Sequence, residues 1–204
     1  MKNKKKTFML AMDALFLAII LIMTFTPLGF ISFGVVSGTI IHIPVLLGAI
    51  LFGWKRGLTY GIFFGLCSMF KAITMPQSIL DPYFINPLVS VLPRALFGLL
   101  SGLMFDVIKK LPQKVNIPLL YINMFVMTII HTILTLGILL IIYFNGVKTD
   151  MTDMGETFNG AINFIWAILL ANGIFEGLFA LLVAPSAYLP LKTFLNRKYK
   201  MDIK

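Results

Sequence analysis

Residues 1–25, MKNKKKTFMLAMDALFLAIILIMTF, place Lys2, Lys4, Lys5 and Lys6 ahead of an apolar stretch, 8–25, whose one charge is Asp13. Eighteen helical residues rise about 27 Å, close to the roughly 30 Å hydrocarbon core of a bilayer. A basic start before an apolar run also opens a secretory leader. Here no small-x-small site leads into a polar mature region and more apolar runs follow, so the stretch reads as a first membrane span.

Working outward, runs of the same kind fall at 35–52, 58–73, 88–108, 117–144 and 168–191, the last inside a longer apolar stretch that begins at Ile162. The expected fold class is all-α integral membrane, six transmembrane helices in a single domain, 1–204. Composition agrees: 59% of the 204 residues are hydrophobic and 12% charged, with mean hydropathy +0.95, against about 45–50% and 25% in soluble domains. The lone Cys67 excludes a disulfide framework and a cysteine-based metal site.

The formal charge of +9 raises the question of a nucleic-acid partner, but its distribution answers a different one. With the amino terminus inside, the inner segments hold Lys2, Lys4, Lys5 and Lys6, then Lys55 and Arg56, then Lys109, Lys110 and Lys114, then Lys192, Arg197, Lys198, Lys200 and Lys204. The outer segments hold Lys71 and Lys148 beside Asp81, Asp150, Asp153 and Glu156. The positive charge is a topology signal that places both ends in the cytoplasm, and no nucleic-acid binding is expected.

Of the outer segments, 74–86 (TMPQSILDPYFIN) carries Pro76 and Pro82 and is expected to break helix and cap the membrane domain with Tyr83 and Phe84. The segment 145–163 is polar and acidic and is expected to be a mobile outer loop. Small residues recur at four-residue spacing: Ala14 and Ala18 on the first span, Gly57, Gly61 and Gly65 on the third, Gly98 and Gly102 on the fourth, Gly173 and Gly177 on the sixth. Such ladders let helix backbones approach closely. The later ones read as internal packing. The alanine pair reads either so or as a face for another membrane subunit.

Polar groups inside spans are costly and default to functional candidates. Measured from the inner charged rim at 1.5 Å per residue, His42 lies about 20 Å up, Lys71 and Arg94 about 22 Å, Glu176 about 24 Å, His131 about 25 Å and Asn172 about 30 Å. Five helices thus contribute to one layer in the outer part of the bilayer. Two readings stand. Arg94 and Glu176 pair structurally, with Lys71 snorkelling to the interface. Alternatively the layer is a small-molecule pocket open to the outside, with Arg94 and Lys71 for an anionic group, His131, Asn172, His42 and Ser90 as hydrogen-bond partners, and Trp166, Tyr83 and Phe84 as an apolar lid. Asp13 belongs near the inner interface.

Gly48–Gly53 (GAILFG) is followed by Trp54 and Lys55, so it is no phosphate loop, and HExxH, GxSxG and paired-cysteine patterns do not occur. The chain is therefore not expected to be an enzyme, to hydrolyse ATP, or to hold a cofactor or metal. The halves show no inverted repeat of a stand-alone carrier. An intramembrane acid–base enzyme using Glu176 and His131, or a purely structural subunit, are the alternatives from other classes.

The run His42–Gly53 (HIPVLLGAILFG), followed by Lys55, Arg56 and Gly57, together with the glycine ladder of the third span, Ala14 and Ala18, and the lysine-rich start, resembles the substrate-binding S component of energy-coupling factor (ECF) vitamin transporters over nearly the whole length. The resemblance implies a bacterial plasma-membrane subunit that binds a vitamin near the outer face. It would dock through Ala14 and Ala18 on a membrane coupling (T) protein carried by two ATPase subunits, and topple to deliver its ligand. It also implies a pocket role for Asn172, although Phe175 and Glu176 stand where some relatives place a lysine. The His-Ile-Pro start and Gly65–Met69 (GLCSM) look most like the pantothenate-type members; pyridoxine-type and hydroxymethylpyrimidine-type ligands remain alternatives.

Overall fold

The computed structural model describes residues 2–33, 36–77, 80–153 and 158–199. Helix α1 (Lys2–Phe25) buries Met12, Phe16, Ile20 and Thr24, a four-residue spacing that makes one narrow stripe. Ala14 and Ala18 lie on its exposed surface with Leu10, Leu15 and Ile22. Glu156, Lys200 and Lys204 of the charge pattern lie outside the described residues.

The second expected crossing, 35–52, is not one helix. A turn at Pro27–Gly29 leads into an antiparallel hairpin of β1 (Phe30–Phe33) and β2 (Val36–Thr39), in register Phe30 with Thr39. Only then does α2 (His42–Phe52) begin, with Pro44 in its first turn. Ser37, Gly38 and Thr39 are weak helix formers, whereas a proline is tolerated in a first turn. The 11 residues of α2 rise about 16 Å, half a hydrocarbon core. Residues 42–51 are all buried, as expected for a helix apolar on every face. Non-helical backbone is tolerated at membrane depth where protein encloses it.

Gly53, at φ 89° and ψ 172°, joins α2 to α3 (Trp54–Thr74) in a conformation that only glycine adopts without strain. Helix α3 packs backbone to backbone on α4 (Pro87–Ile108). A Cβ on Gly57 would stand 2.3 Å from the Gly98 carbonyl oxygen, and one on Gly61 2.2 Å from that of Arg94. The glycine ladders of the third and fourth spans are therefore internal packing, and they set how deeply Arg94 is drawn between helices.

Between these helices, Asp81–Ile85 forms a 3-10 turn, as the prolines of the 74–86 segment require. Tyr83 and Phe84 are half-buried against Val89, Leu139 and Val147. Asn86 caps α4 by accepting the Leu88 amide at 2.9 Å and donates through Nδ2 to the Tyr143 hydroxyl, also at 2.9 Å.

Helices α5 (Gln113–Asp153) and α6 (Phe158–Tyr199) correct the expectation of a loop over 145–163, which is helical to Asp153 and again from Phe158. The segment contains no proline, and α5 is two helices that meet at a kink at Tyr143, φ −123° and ψ 22°, the second of them running on to Asp153. Among the described residues five stretches are long and apolar enough to cross a membrane: Lys5–Phe25, Trp54–Thr74, Pro87–Ile108, Lys114–Val147 and Gly173–Arg197. At the end bearing Lys55 and Arg56, Arg56 Nε donates to Asp13 Oδ1 at 2.8 Å, and the Tyr60 hydroxyl donates to the same oxygen at 2.5 Å. These bonds tie α1 to α3 and account for Asp13.

Candidate functional site

Proline 93 sits inside α4. Having no amide hydrogen, it leaves the carbonyl of Val89, four residues earlier, without its helical donor. The Arg94 guanidinium supplies the replacement: Nη1 donates to Val89 O at 3.3 Å and to Ser90 O at 2.7 Å. The head lies between two rings, Cζ 5.0 Å from the Phe64 centroid and 5.2 Å from that of Phe84, a cation–π arrangement. Arg94 is 6% exposed, and its Nε meets no hydrogen-bond partner. A buried, charged donor that is aimed at nothing is the feature an anionic ligand completes.

Near Phe64 lies a second polar group. His42 opens α2, His131 stands in the middle of α5 and Glu176 on α6. All three are buried, and their nitrogen and oxygen atoms lie within 4.8 Å of one another. The two imidazoles stack at 5.6 Å and 24°, with Phe64 at 6.0 Å and Phe97 at 4.9 Å from the His131 ring. Glu176 is held at both oxygens: Oε1 accepts the Thr39 amide at 2.6 Å, and Oε2 the Thr132 hydroxyl at 3.1 Å. Its carboxylate makes no ion pair with Arg94; ion pairs found elsewhere among the described residues include Arg56–Asp13 and Lys109–Asp106. The purely structural Arg94–Glu176 pairing is thus not the arrangement found.

Two histidines and a carboxylate are ligand types suited to a transition metal. Here the carboxylate oxygens are already engaged by Thr39 and Thr132.

The structure thus brings Arg94, His42, His131 and Glu176 into one buried region, with Ser90 at its edge, donating its hydroxyl to the Phe84 carbonyl. Lys71 lies half-buried in the last turn of α3. Trp166 is 58% exposed and is not a buried lid, whereas Phe84 covers Arg94 directly. The backbone of Asn172 belongs to α6, and its side chain lies outside the described residues. Sequence reasoning passed over Thr39, Thr132, Phe64 and Phe97. Thr132 was findable: Thr128, His131, Thr132 and Thr135 follow a three-to-four spacing that makes one helix face, and all four are buried.

Residues 8–188 match the family described as ECF transporter, substrate-specific component. The chain belongs to that family. This S component is 33% identical over 182 residues to the pantothenate transporter PanT of Leuconostoc mesenteroides, an alignment covering 85% of this chain and 87% of that protein. It is also 30% identical over 86 residues to the pantothenic acid transporter PanT of Lactococcus lactis subsp. cremoris, covering 35% of this chain and 43% of that one. The S component is accordingly a multi-pass membrane protein of vitamin uptake.

Proposed function

We propose that this chain is the pantothenate-binding S component of an ECF importer in a bacterial plasma membrane. It captures the vitamin at the outer face and delivers it by docking on a membrane coupling protein driven by two ATPase subunits. The observation that carries this reading is Arg94, a nearly fully buried guanidinium with an unpartnered Nε. Pantothenate ends in a carboxylate, and a carboxylate meets such a donor with a charge-assisted bond. Two relatives bear the name of pantothenate transporter.

In this reading the membrane is crossed six times with both ends in the cytoplasm, α2 and the hairpin together making the second crossing. The Lys and Arg pattern supports this topology. The exposed Ala14 and Ala18 of α1 are the docking face, with small residues allowing close helix approach. Lys71 and Asn172 belong to the outer rim of the pocket.

The test is equilibrium binding to the purified chain in detergent without ATP, together with mass spectrometry of the small molecule that survives mild purification. Tight, saturable pantothenate binding that is lost in Arg94→Ala supports the assignment. A pyridoxine-type or hydroxymethylpyrimidine-type compound recovered instead replaces the vitamin while keeping the transport role. That second reading is favoured by Glu176, whose carboxylate suits a ligand bearing hydroxyl or amino groups.

A further inference from the structure

The ring nitrogens of His42 and His131 are all buried; both of His131 meet no hydrogen-bond partner, while His42 has the backbone of Thr39 within reach, and the rings lie stacked against each other beside Glu176. A neutral imidazole carries one N–H and one lone pair, so His131 offers one donor and one acceptor to whatever enters, and His42 its remaining nitrogen. Three kinds of polar group are candidates, and their charges separate them. A carboxylate only accepts and is repelled by Glu176. An ammonium only donates and is opposed by the Arg94 cation, whose Cζ lies 5.0 Å from the centroid of Phe64, a ring 6.0 Å from that of His131. A hydroxyl donates and accepts, carries no charge, and satisfies an N–H and a lone pair at once.

We propose that the His42–His131 pair is the hydroxyl subsite of the pocket, near Phe64 and beside the Arg94 carboxylate subsite. The transported molecule is then a hydroxy-substituted carboxylic acid, bound with its acid end at Arg94 and its hydroxyl end at the two imidazoles. This rests on the functional reading above and adds to it an orientation and a rule of selection: acids without hydroxyls and hydroxyl compounds without an acid each lose one end of the site. Glu176 is a positioning residue here, held by Thr39 and Thr132 and barring anions from the hydroxyl end.

The test is a binding cycle on the full purified chain with three probes. These are pantothenate, pantothenyl alcohol in which the acid is replaced by a primary hydroxyl, and N-(3,3-dimethylbutanoyl)-β-alanine, which lacks both hydroxyls. The wild-type protein is expected to bind each analogue at least about 100-fold more weakly than pantothenate. His131→Phe is expected to weaken pantothenate about 10- to 100-fold with no further loss for the dideoxy compound, and Arg94→Gln to weaken pantothenate with no further loss for the alcohol. His42→Gln and His131→Gln run the same cycle if the phenylalanine variant does not purify as a folded protein.

Histidine variants that weaken the dideoxy compound as much as pantothenate overturn the subsite assignment and leave the vitamin reading standing. Stoichiometric zinc or nickel in the purified chain, lost on His131→Phe, overturns it in favour of a metal site. No binding of pantothenate by the wild-type chain overturns both readings.

Discussion

The backbone amide of Thr39, the last residue of the hairpin, donates to Glu176 Oε1 at 2.6 Å across 137 residues of sequence. This bond, with the Thr132 hydroxyl at 3.1 Å on the other oxygen, makes one carboxylate the meeting point of the hairpin, α5 and α6. A bond to a charged group contributes about 1.5–3 kcal/mol, and a buried donor left without its partner costs about 1–3 kcal/mol. Glu176→Ala is therefore expected to destabilise the protein by about 2–4 kcal/mol in detergent unfolding, and Glu176→Gln by less. Faster hydrogen exchange at the Thr39 amide in both variants checks that the hairpin is what is released; unchanged exchange sinks the assignment.

The link between Pro93 and Arg94 leads to a different substitution. Pro93→Ala restores an amide hydrogen that competes for the Val89 carbonyl, and Arg94 loses one of its two anchors. Pantothenate affinity is expected to fall about two- to tenfold while the helix gains a bond, so binding weakens with no loss of stability. Calorimetry of binding and unfolding on the same preparation measures both, and unaltered affinity would show that the Val89 contact does not position the guanidinium.

Backbone contact between α3 and α4 predicts steep steric sensitivity. Gly61→Val places a side chain where even a Cβ stands 2.2 Å from the Arg94 carbonyl oxygen, and overpacking of this kind costs about 1–3 kcal/mol or more. Gly137 on α5 has nothing within 4 Å of its would-be Cβ, so Gly137→Ala should be neutral or stabilising by up to about 1 kcal/mol. Thermal melts of the two variants should separate in opposite directions from wild type; equal effects would remove the close-packing argument.

Ala14 and Ala18 touch no part of the ligand region. Ala14→Trp and Ala18→Trp are expected to leave vitamin binding by the isolated chain unchanged and to lower uptake by the assembled transporter by at least about tenfold. Radiolabelled uptake in cells is the measurement, and full uptake in both variants would place docking elsewhere.

Much of the site was legible along the chain because membrane burial sorts residues by one rule. A polar group inside a span needs a reason, and counting helical rise from the basic rims placed Arg94, His42, His131 and Glu176 at similar heights. Their actual neighbours were not legible. Glu176 turns to a backbone amide of the hairpin instead of to Arg94, because the second apolar run is too poor in helix formers at Ser37–Thr39 to cross as one helix. Trp166 is aromatic and suitably placed by height, but which way a residue points around a helix axis depends on the neighbouring helix.

Taken alone, the sequence determines that this protein lives in a membrane, which runs are apolar enough to cross it, and which buried polar residues need an explanation. Those are properties of residue transfer from water, which each segment carries with it. The tertiary structure decided that Arg94 faces two phenylalanines with a free Nε, that two histidines stack with both His131 nitrogens unpartnered, and that a hairpin is fastened to the last helix. These depend on directional bonds and close packing between segments far apart in the chain, which hydropathy does not encode.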